Sequence, residues 1–256
     1  MHPPVDDDLD DALDRAARRL RDCERVAVLT GAGVSAESGV PTFRDADGLW
    51  EGYRIEEVAT PEAFERQPEV VWRFYNQRRA NLAAVRPNPG HLALAELERR
   101  FPGDRFTLIT QNVDGLHRQA GSRRVLELHG NLTWTRCTAC GRREHRGTEP
   151  LGDLPRCTVC DGLVRPEIVW FGEALPEGVY GAAVEAAFRC QAFLTVGTSA
   201  VVHPAAGLIT LARRGGATTI EVNPTHTAAS GVVDIRLVGP SGVVLPRLLE
   251  RMDKPG

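Results

Sequence analysis

The chain has 256 residues, with 31 Lys plus Arg against 34 Asp plus Glu and a formal charge of −3. Lys254 is the only lysine, so 30 of the basic residues are arginines. No interior lysine exists to form a Schiff base, anchor pyridoxal phosphate or complete a G-x-x-x-x-G-K-[ST] phosphate loop. A pI near 6.2 gives no global attraction to nucleic acid or membrane surfaces. No apolar run approaches the roughly 18 residues of a membrane span, and the acidic N-terminus lacks an apolar signal core, so a cytoplasmic protein is expected.

Residues 6–22 place Leu9, Leu13, Ala16, Ala17 and Leu20 at helical spacing, with acidic residues first and arginines last, as the helix dipole favours. ERVAVLTGAG reads as a buried strand over 25–30 that runs into a glycine turn. Residues 38–56 are Gly-, Pro- and Asp-rich and aperiodic, which predicts a long functional loop. Helices follow over 60–66 and 68–84, then a helix from Pro89 to Arg100. A strand is predicted over 105–110, a loop with a short helix over QNVDGLHRQAG, and a strand over 124–128. Beyond residue 164 the α/β rhythm resumes, with strands near 165–170, 192–197, 217–222 and 234–238 and helices near 179–189, 204–214 and 243–252. Alternating strands and helices imply an α/β fold: a doubly wound, Rossmann-like parallel sheet with helices on both faces. We assign 1–52, 87–132 and 165–256 to it. A helical insertion (53–86) and a zinc-ribbon insertion (133–164) form a smaller domain.

Cys137, Cys140, Cys157 and Cys160 make two C-x-x-C pairs with 16 residues between them. This is metal-ligand spacing, and four thiolates close a tetrahedral zinc site with no place for water or substrate. The surrounding segment has few aliphatic residues and needs the metal to fold. Its arginines read as a solvated face, not a nucleic-acid platform. Cys23 and Cys190 read as small buried hydrophobes.

Gly31-Ala32-Gly33-Val34-Ser35-Ala36 fits G-x-G-x-x-G/A, a turn that lets backbone N–H groups approach a pyrophosphate at a helix N-terminus. No second strand ending in an acidic ribose ligand follows at the usual distance, which disfavours an ordinary hydride-transfer unit. Gln111, Asn112 and Asp114 follow a strand, where a doubly wound sheet faces its ligand crevice; they suit an amide and a ribose, or a self-satisfied Asx turn. His129 ends another strand. A neutral imidazole there is either structural or a general base for a sugar hydroxyl.

These motifs together resemble the sirtuin family of NAD-dependent protein lysine deacylases over about residues 20–252. The resemblance is carried by Gly31–Trp50, Gln111–His117, Leu128-His129-Gly130, the cysteine pairs, Arg165–Glu173, Gly197-Thr198-Ser199, Asn223-Pro224 and Gly239–Pro246. It implies NAD as co-substrate and one structural zinc ion. Gly31, Ala32, Gly33 and Ser35 would lie at the pyrophosphate, with Phe43, Arg44 and Trp50 in the cofactor loop. Gln111, Asn112, Val113 and Asp114 would line the nicotinamide and ribose pocket. Gly197, Thr198, Ser199, Asn223, Pro224, Thr225 and Ser241 would hold the adenosine side. His129 would be the general base, with Asn112 and Asp114 beside it in catalysis. Val169, Trp170, Phe171 and Gly172 would offer a backbone edge to an extended peptide. The implied reaction passes an acyl group from lysine to the ADP-ribose of NAD, releasing nicotinamide.

Tyr75-x-x-Arg78 puts a phenol and a guanidinium on one helix face. By composition alone they are a core residue and a solvated one, or a carboxylate clamp. Within the family, Y-x-x-R with a small residue at Ala59 marks enzymes that remove succinyl, malonyl and glutaryl groups. We therefore expect a dicarboxylic deacylase with deacetylation as a second activity. Arg79, on a different face, is the poorer candidate. The alternatives are a mainly acetyl-directed enzyme and a protein ADP-ribosyltransferase. The partners expected are acylated-lysine proteins, without direct nucleic-acid or membrane binding, and the chain is expected to be a monomer.

Overall fold

The structure is a computed structural model, which describes residues 9–41, 49–50 and 53–254. In chain order the first elements are α1 (Leu9–Arg21), β1 (Val26–Thr30) and a single helical turn, α2 (Gly33–Ala36). A short hairpin, β2 (Leu49–Trp50) and β3 (Tyr53–Arg54), leads into α3 (Ile55–Val58), α4 (Pro61–Arg66) and α5 (Pro68–Ala84). Then come α6 (Pro89–Arg100), β4 (Phe106–Thr110), α7 (Leu116–Gln119), β5 (Val125–Glu127), β6 (Gly130–Cys137), β7 (Arg143–His145) and β8 (Val164–Ile168). The chain closes with α8 (Glu177–Arg189), β9 (Ala192–Val196), α9 (Gly207–Arg214), β10 (Thr218–Asn223), β11 (Ile235–Val238) and α10 (Ser241–Asp253).

Six strands form one parallel sheet in the order β11-β10-β9-β1-β4-β5. The central strands β1 and β9 are buried along their whole length, as the apolar runs VAVLT and AFLTV require. The order runs outward in opposite directions from β1 and β9, so the topological switch point, where ligands bind doubly wound sheets, lies between them. One face is covered by α1, α6 and α10 through Leu13, Leu20, Leu94, Leu97, Val244 and Leu248. The other is covered by α8 and α9 through Ala183, Ala187, Leu208 and Ile209.

A separate core joins α3, α4 and α5 to the cysteine-bearing segment. It holds Ile55, Phe64, Trp72, Phe74 and Tyr75 together with Leu132, Cys137, Cys157, Val164 and Trp170. The two insertions thus build one smaller domain. The strand expected near 165–170 differs from its reading: as β8 it pairs antiparallel with β6, which pairs with β7 in a three-stranded sheet. Its two aliphatic ends, Val164 and Ile168, are buried against the helical insertion, not within the parallel sheet. Among the described residues no helix is long and apolar enough to cross a membrane.

Candidate active site

The loops after β1 and β9 meet at the switch point. Gly31 N–H donates to the Val196 carbonyl (3.1 Å) and Gly33 N–H to the Gly197 carbonyl (2.7 Å). A Cβ on Gly33 would stand 2.7 Å from the Gly197 oxygen, and one on Gly31 2.8 Å from Thr198 Cβ. Both glycines are therefore demanded by loop-to-loop packing. The N–H groups of Gly31, Gly33, Val34 and Ser35 are used within the protein. Ala32 N–H has no acceptor among the described residues. The turn also leads into four helical residues only, too few to build a substantial helix dipole.

The polar loop after β4 is bound to this turn by side chains. Asn112 uses Nδ2 on both the Gly31 carbonyl and Ser35 Oγ (each 3.0 Å), which leaves Oδ1 available as an acceptor. Ser35 Oγ donates to Asp114 Oδ2 (2.7 Å), and Asp114 Oδ1 accepts from Leu116 N–H (2.9 Å). Burial raises the Asp114 pKa against the pull of these donors and of Arg78. Gln111 Nε2 donates to Thr198 Oγ1 (3.0 Å), tying the β4 loop to the β9 loop.

His129 stands two residues beyond β5, at the same sheet edge. Its Nδ1 lies 2.9 Å from the Gln111 carbonyl oxygen. A carbonyl only accepts, so Nδ1 carries the hydrogen and Nε2 presents its lone pair. Burial holds the imidazole below its ordinary pKa, with the Gln111 bond opposing. A neutral, oriented base follows, able to take a proton from a hydroxyl.

Two further histidines back this loop. His91 Nδ1 accepts from Asn88 N–H (3.4 Å), and its Nε2 lies 3.3 Å from Ser35 Oγ. His117 Nε2 lies 2.9 Å from Thr30 Oγ1, which donates to Thr110 Oγ1 (2.8 Å). Burial pushes His91 down to about 4 and His117 down to about 3. Both are neutral, and neither offers sequence spacing that marks it.

Where the resemblance expects adenosine, Asn223 Nδ2 donates to the Thr198 carbonyl (3.1 Å), and Asn223 Oδ1 accepts from Thr225 N–H (3.3 Å). Ser199 and Pro224 lie in the same loops beyond β9 and β10. Ser241 Oγ donates to Glu37 Oε1 (2.8 Å), whose carboxylate also caps Gly242 N–H at the start of α10. Glu37 has no sequence signal for this, since its partners lie 204 residues or more away. Phe43 and Arg44 lie outside the described residues, as does the side chain of Trp50.

The segment expected to offer a peptide edge uses some of its backbone groups internally. Val169 N–H donates to the His129 carbonyl and Phe171 N–H to the Ala59 carbonyl (each 3.0 Å), while Trp170 N–H donates to Glu173 Oε2 (2.8 Å). These donors are spent on positioning the segment between the two domains. Among the described residues, the carbonyls of Val169 and Phe171 and the N–H of Gly172 have no partner.

Tyr75 and Arg78 come together on α5. Tyr75 is buried, accepts from Trp170 Nε1 (2.9 Å) and is raised to about 12 by burial. Burial lowers Arg78, with nearby Asp114 opposing. Arg78 also lies over the Phe74 ring, 5.5 Å from its centroid. Arg79 is structural: fully buried, it donates to the carbonyls of Leu132, Glu149 and Arg146.

The four cysteine Sγ atoms lie within 4.8 Å of one another, with Cys137–Cys160 at 3.5 Å and Cys140–Cys157 at 3.8 Å. Tetrahedral Zn–S bonds of about 2.3 Å place sulfurs about 3.8 Å apart, so the set fits zinc. Backbone N–H groups of Cys140 and Ala139 favour the Cys137 thiolate. A Cβ on Gly162 would press within 3.1 Å of Cys137 Sγ. A surface depression of about 420 Å³ beside Arg15, Arg19, Thr218 and Asp234 lies at the opposite edge of the sheet, away from all these groups.

The Sir2 family model matches residues 31–204. An NAD-dependent protein deacylase of Pyrococcus furiosus is 46% identical over 246 residues, covering 94% of this chain and 98% of the relative. A solved Sir2 homolog–NAD complex superposes with a TM-score of 0.89 at 42% identity, covering 98% of this chain and 96% of that one. Sir2Af2 bound to a myristoylated histone peptide superposes with a TM-score of 0.76 at 37% identity, covering 95% and 97%.

Proposed function

This chain belongs to the Sir2 family and is an NAD-dependent protein deacylase; on that premise we propose that it removes dicarboxylic acyl groups, succinyl and malonyl, from protein lysines, with acetyl removal as a second activity. The observation that carries the reading is that Tyr75 and Arg78 stand three residues apart on one face of α5, both drawn away from solvent. A guanidinium and a phenol in a partly desolvated pocket suit a terminal carboxylate, which Arg grips with two hydrogen bonds. Ala59 is buried in the same core cluster as Tyr75, and its small side chain suits an acyl chain longer than acetyl.

NAD supplies an electrophilic ribose carbon with nicotinamide as its leaving group. Ala32, Gln111, Asn112 and Asp114 would hold its pyrophosphate and nicotinamide ribose. Thr198, Ser199 and Asn223 would hold its adenosine. Because Asn112 spends both Nδ2 hydrogens internally, its Oδ1 is committed to accepting from a ribose hydroxyl or a water. His129 Nε2 takes the ribose-hydroxyl proton, which readies that oxygen for the acyl carbon. The overall change consumes acyl-lysine, NAD and water and yields lysine, nicotinamide and O-acyl-ADP-ribose. The peptide backbone would pair with the open carbonyls of Val169 and Phe171. Cys137, Cys140, Cys157 and Cys160 would hold a zinc ion whose role is to keep the small domain, and with it α5, in place.

Mass spectrometry of products from NAD and a panel of succinyl-, malonyl- and acetyl-lysine peptides tests this. Free lysine peptide with O-succinyl- or O-malonyl-ADP-ribose is expected, and His129→Tyr should abolish both while keeping its zinc. Acetyl turnover alone would make the enzyme a deacetylase. ADP-ribose attached to the peptide would make it a transferase of a different kind.

A further inference from the structure

The acyl pocket contains a polar contact that the function above does not use. Trp170 is buried, and its indole N–H donates to the Tyr75 hydroxyl oxygen at 2.9 Å. An indole N–H only donates. The ring cannot turn to release this bond. The Arg165 guanidinium lies 3.5 Å from its centroid, clamped by two bonds to Glu173 (2.6 and 2.7 Å) and one to the Ile168 carbonyl (3.0 Å). Glu173 Oε2 also holds Trp170 by its backbone N–H, and Phe64 packs on the ring at 5.2 Å.

The consequence falls on Tyr75. Its oxygen already accepts, and no described residue accepts its proton. Its neighbour Arg78 has five N–H donors and no acceptor. Every polar group that Tyr75 and Arg78 can turn toward an acyl terminus is then a donor. A carboxylate, which only accepts, is satisfied by both; a terminal amide of the same shape brings an NH2 group against donors.

We propose that Trp170 is a specificity-positioning residue: its indole N–H makes Tyr75 an obligate donor and so tunes the acyl pocket to a terminal carboxylate over the isosteric amide. This rests on the dicarboxylic reading above.

The test compares kcat/KM for NAD-dependent removal of succinyl from lysine with removal of its terminal-amide analogue, succinamoyl. Wild type, Trp170→Phe, Tyr75→Phe and the double variant are measured with zinc content checked. Wild type should prefer the carboxylate, and Trp170→Phe should shrink the carboxylate-to-amide ratio by about 5–20-fold, the scale of one well-placed hydrogen bond. In the Tyr75→Phe background, Trp170→Phe should change the ratio no further. A purely structural tryptophan would depress both substrates alike and leave the ratio fixed, which overturns the proposal, as does an equal fall in both backgrounds. If Trp170→Phe does not fold, Arg165→Met, which unlocks the ring but keeps the indole, must shrink the ratio too; an unchanged ratio there overturns the proposal. Absence of succinyl turnover in wild type would sink the dicarboxylic reading itself, whereas turnover with a ratio indifferent to these variants would sink only this inference.

Discussion

Arg78 and Arg79 are adjacent on α5 yet should fail in opposite ways, and Arg79→Met is the sharper perturbation. Arg79 reaches across from the helix to the carbonyls of Leu132, Glu149 and Arg146, stapling α5 to the zinc-bearing segment. Burial and the nearby Arg146 charge lower it to about 10, so it stays charged at neutral pH. Methionine fills much of the same volume but donates nothing. The Leu132 carbonyl is left buried and unsatisfied, a loss of about 1–3 kcal/mol, while water can reach the other two and recover part of theirs. Relief of the guanidinium's own desolvation offsets some of the total, giving a net cost of about 2–4 kcal/mol. Trp72 and Trp170 pack in the core shared by the two insertions and Trp134 lies on β6, so fluorescence from three of the four tryptophans reports on the affected unit in urea. With a slope of about 2–3 kcal/mol/M, the midpoint should fall by about 1 M with the slope unchanged. Arg78→Met removes a charge that burial already disfavours and should cost at most about 1 kcal/mol. A midpoint for Arg79→Met within about 0.2 M of wild type, or an equal fall for Arg78→Met, would refute the assignment.

Three further outcomes follow from the site. His91 is about 4 in the folded chain against about 6.5 unfolded, so the unfolded chain binds its proton first; stability is full above pH 6.5 and falls by on the order of 3 kcal/mol as pH drops to 4, and His91→Asn should flatten that slope in denaturant titrations across pH. Gly33→Ala drives a methyl group to 2.7 Å from the Gly197 carbonyl oxygen, backbone against backbone, and should weaken NAD binding by more than about ten-fold in calorimetry; unchanged affinity would contradict the packing argument. Because burial lowers His129, the acid limb of kcat/KM should turn down below pH 6.5, and a limb above that value would argue against a buried neutral base.

What could be read from the sequence depended on the range of the interaction that decides each feature. The starts of α5 and α6 were legible because Pro68 and Pro89 sit at first-turn positions, with Asn88 capping Gly90 and His91 N–H groups beside its own proline. The cysteine pairs were legible because metal spacing is local. The sheet that takes β8 was not, since a five-residue strand with aliphatic residues only at its two ends, Val164 and Ile168, carries no mark of which partner it pairs with. The glycine turn was located, but the close packing of Gly33 on Gly197 was not legible, because Gly197 lies over 160 residues further along. Glu37, Arg79 and the Arg165–Glu173 clamp act through tertiary partners, and no periodicity pointed to them.

The central claim is that Arg78 reads a carboxylate on the acyl chain. The direct measurement is kcat/KM for succinyl- and acetyl-lysine forms of one peptide, at saturating NAD, in wild type and Arg78→Met. Loss of a paired, charge-assisted contact should cut succinyl turnover by about 100-fold or more while acetyl turnover changes by less than about three-fold. Equal effects on the two substrates, or intact succinyl turnover in Arg78→Met, would contradict it.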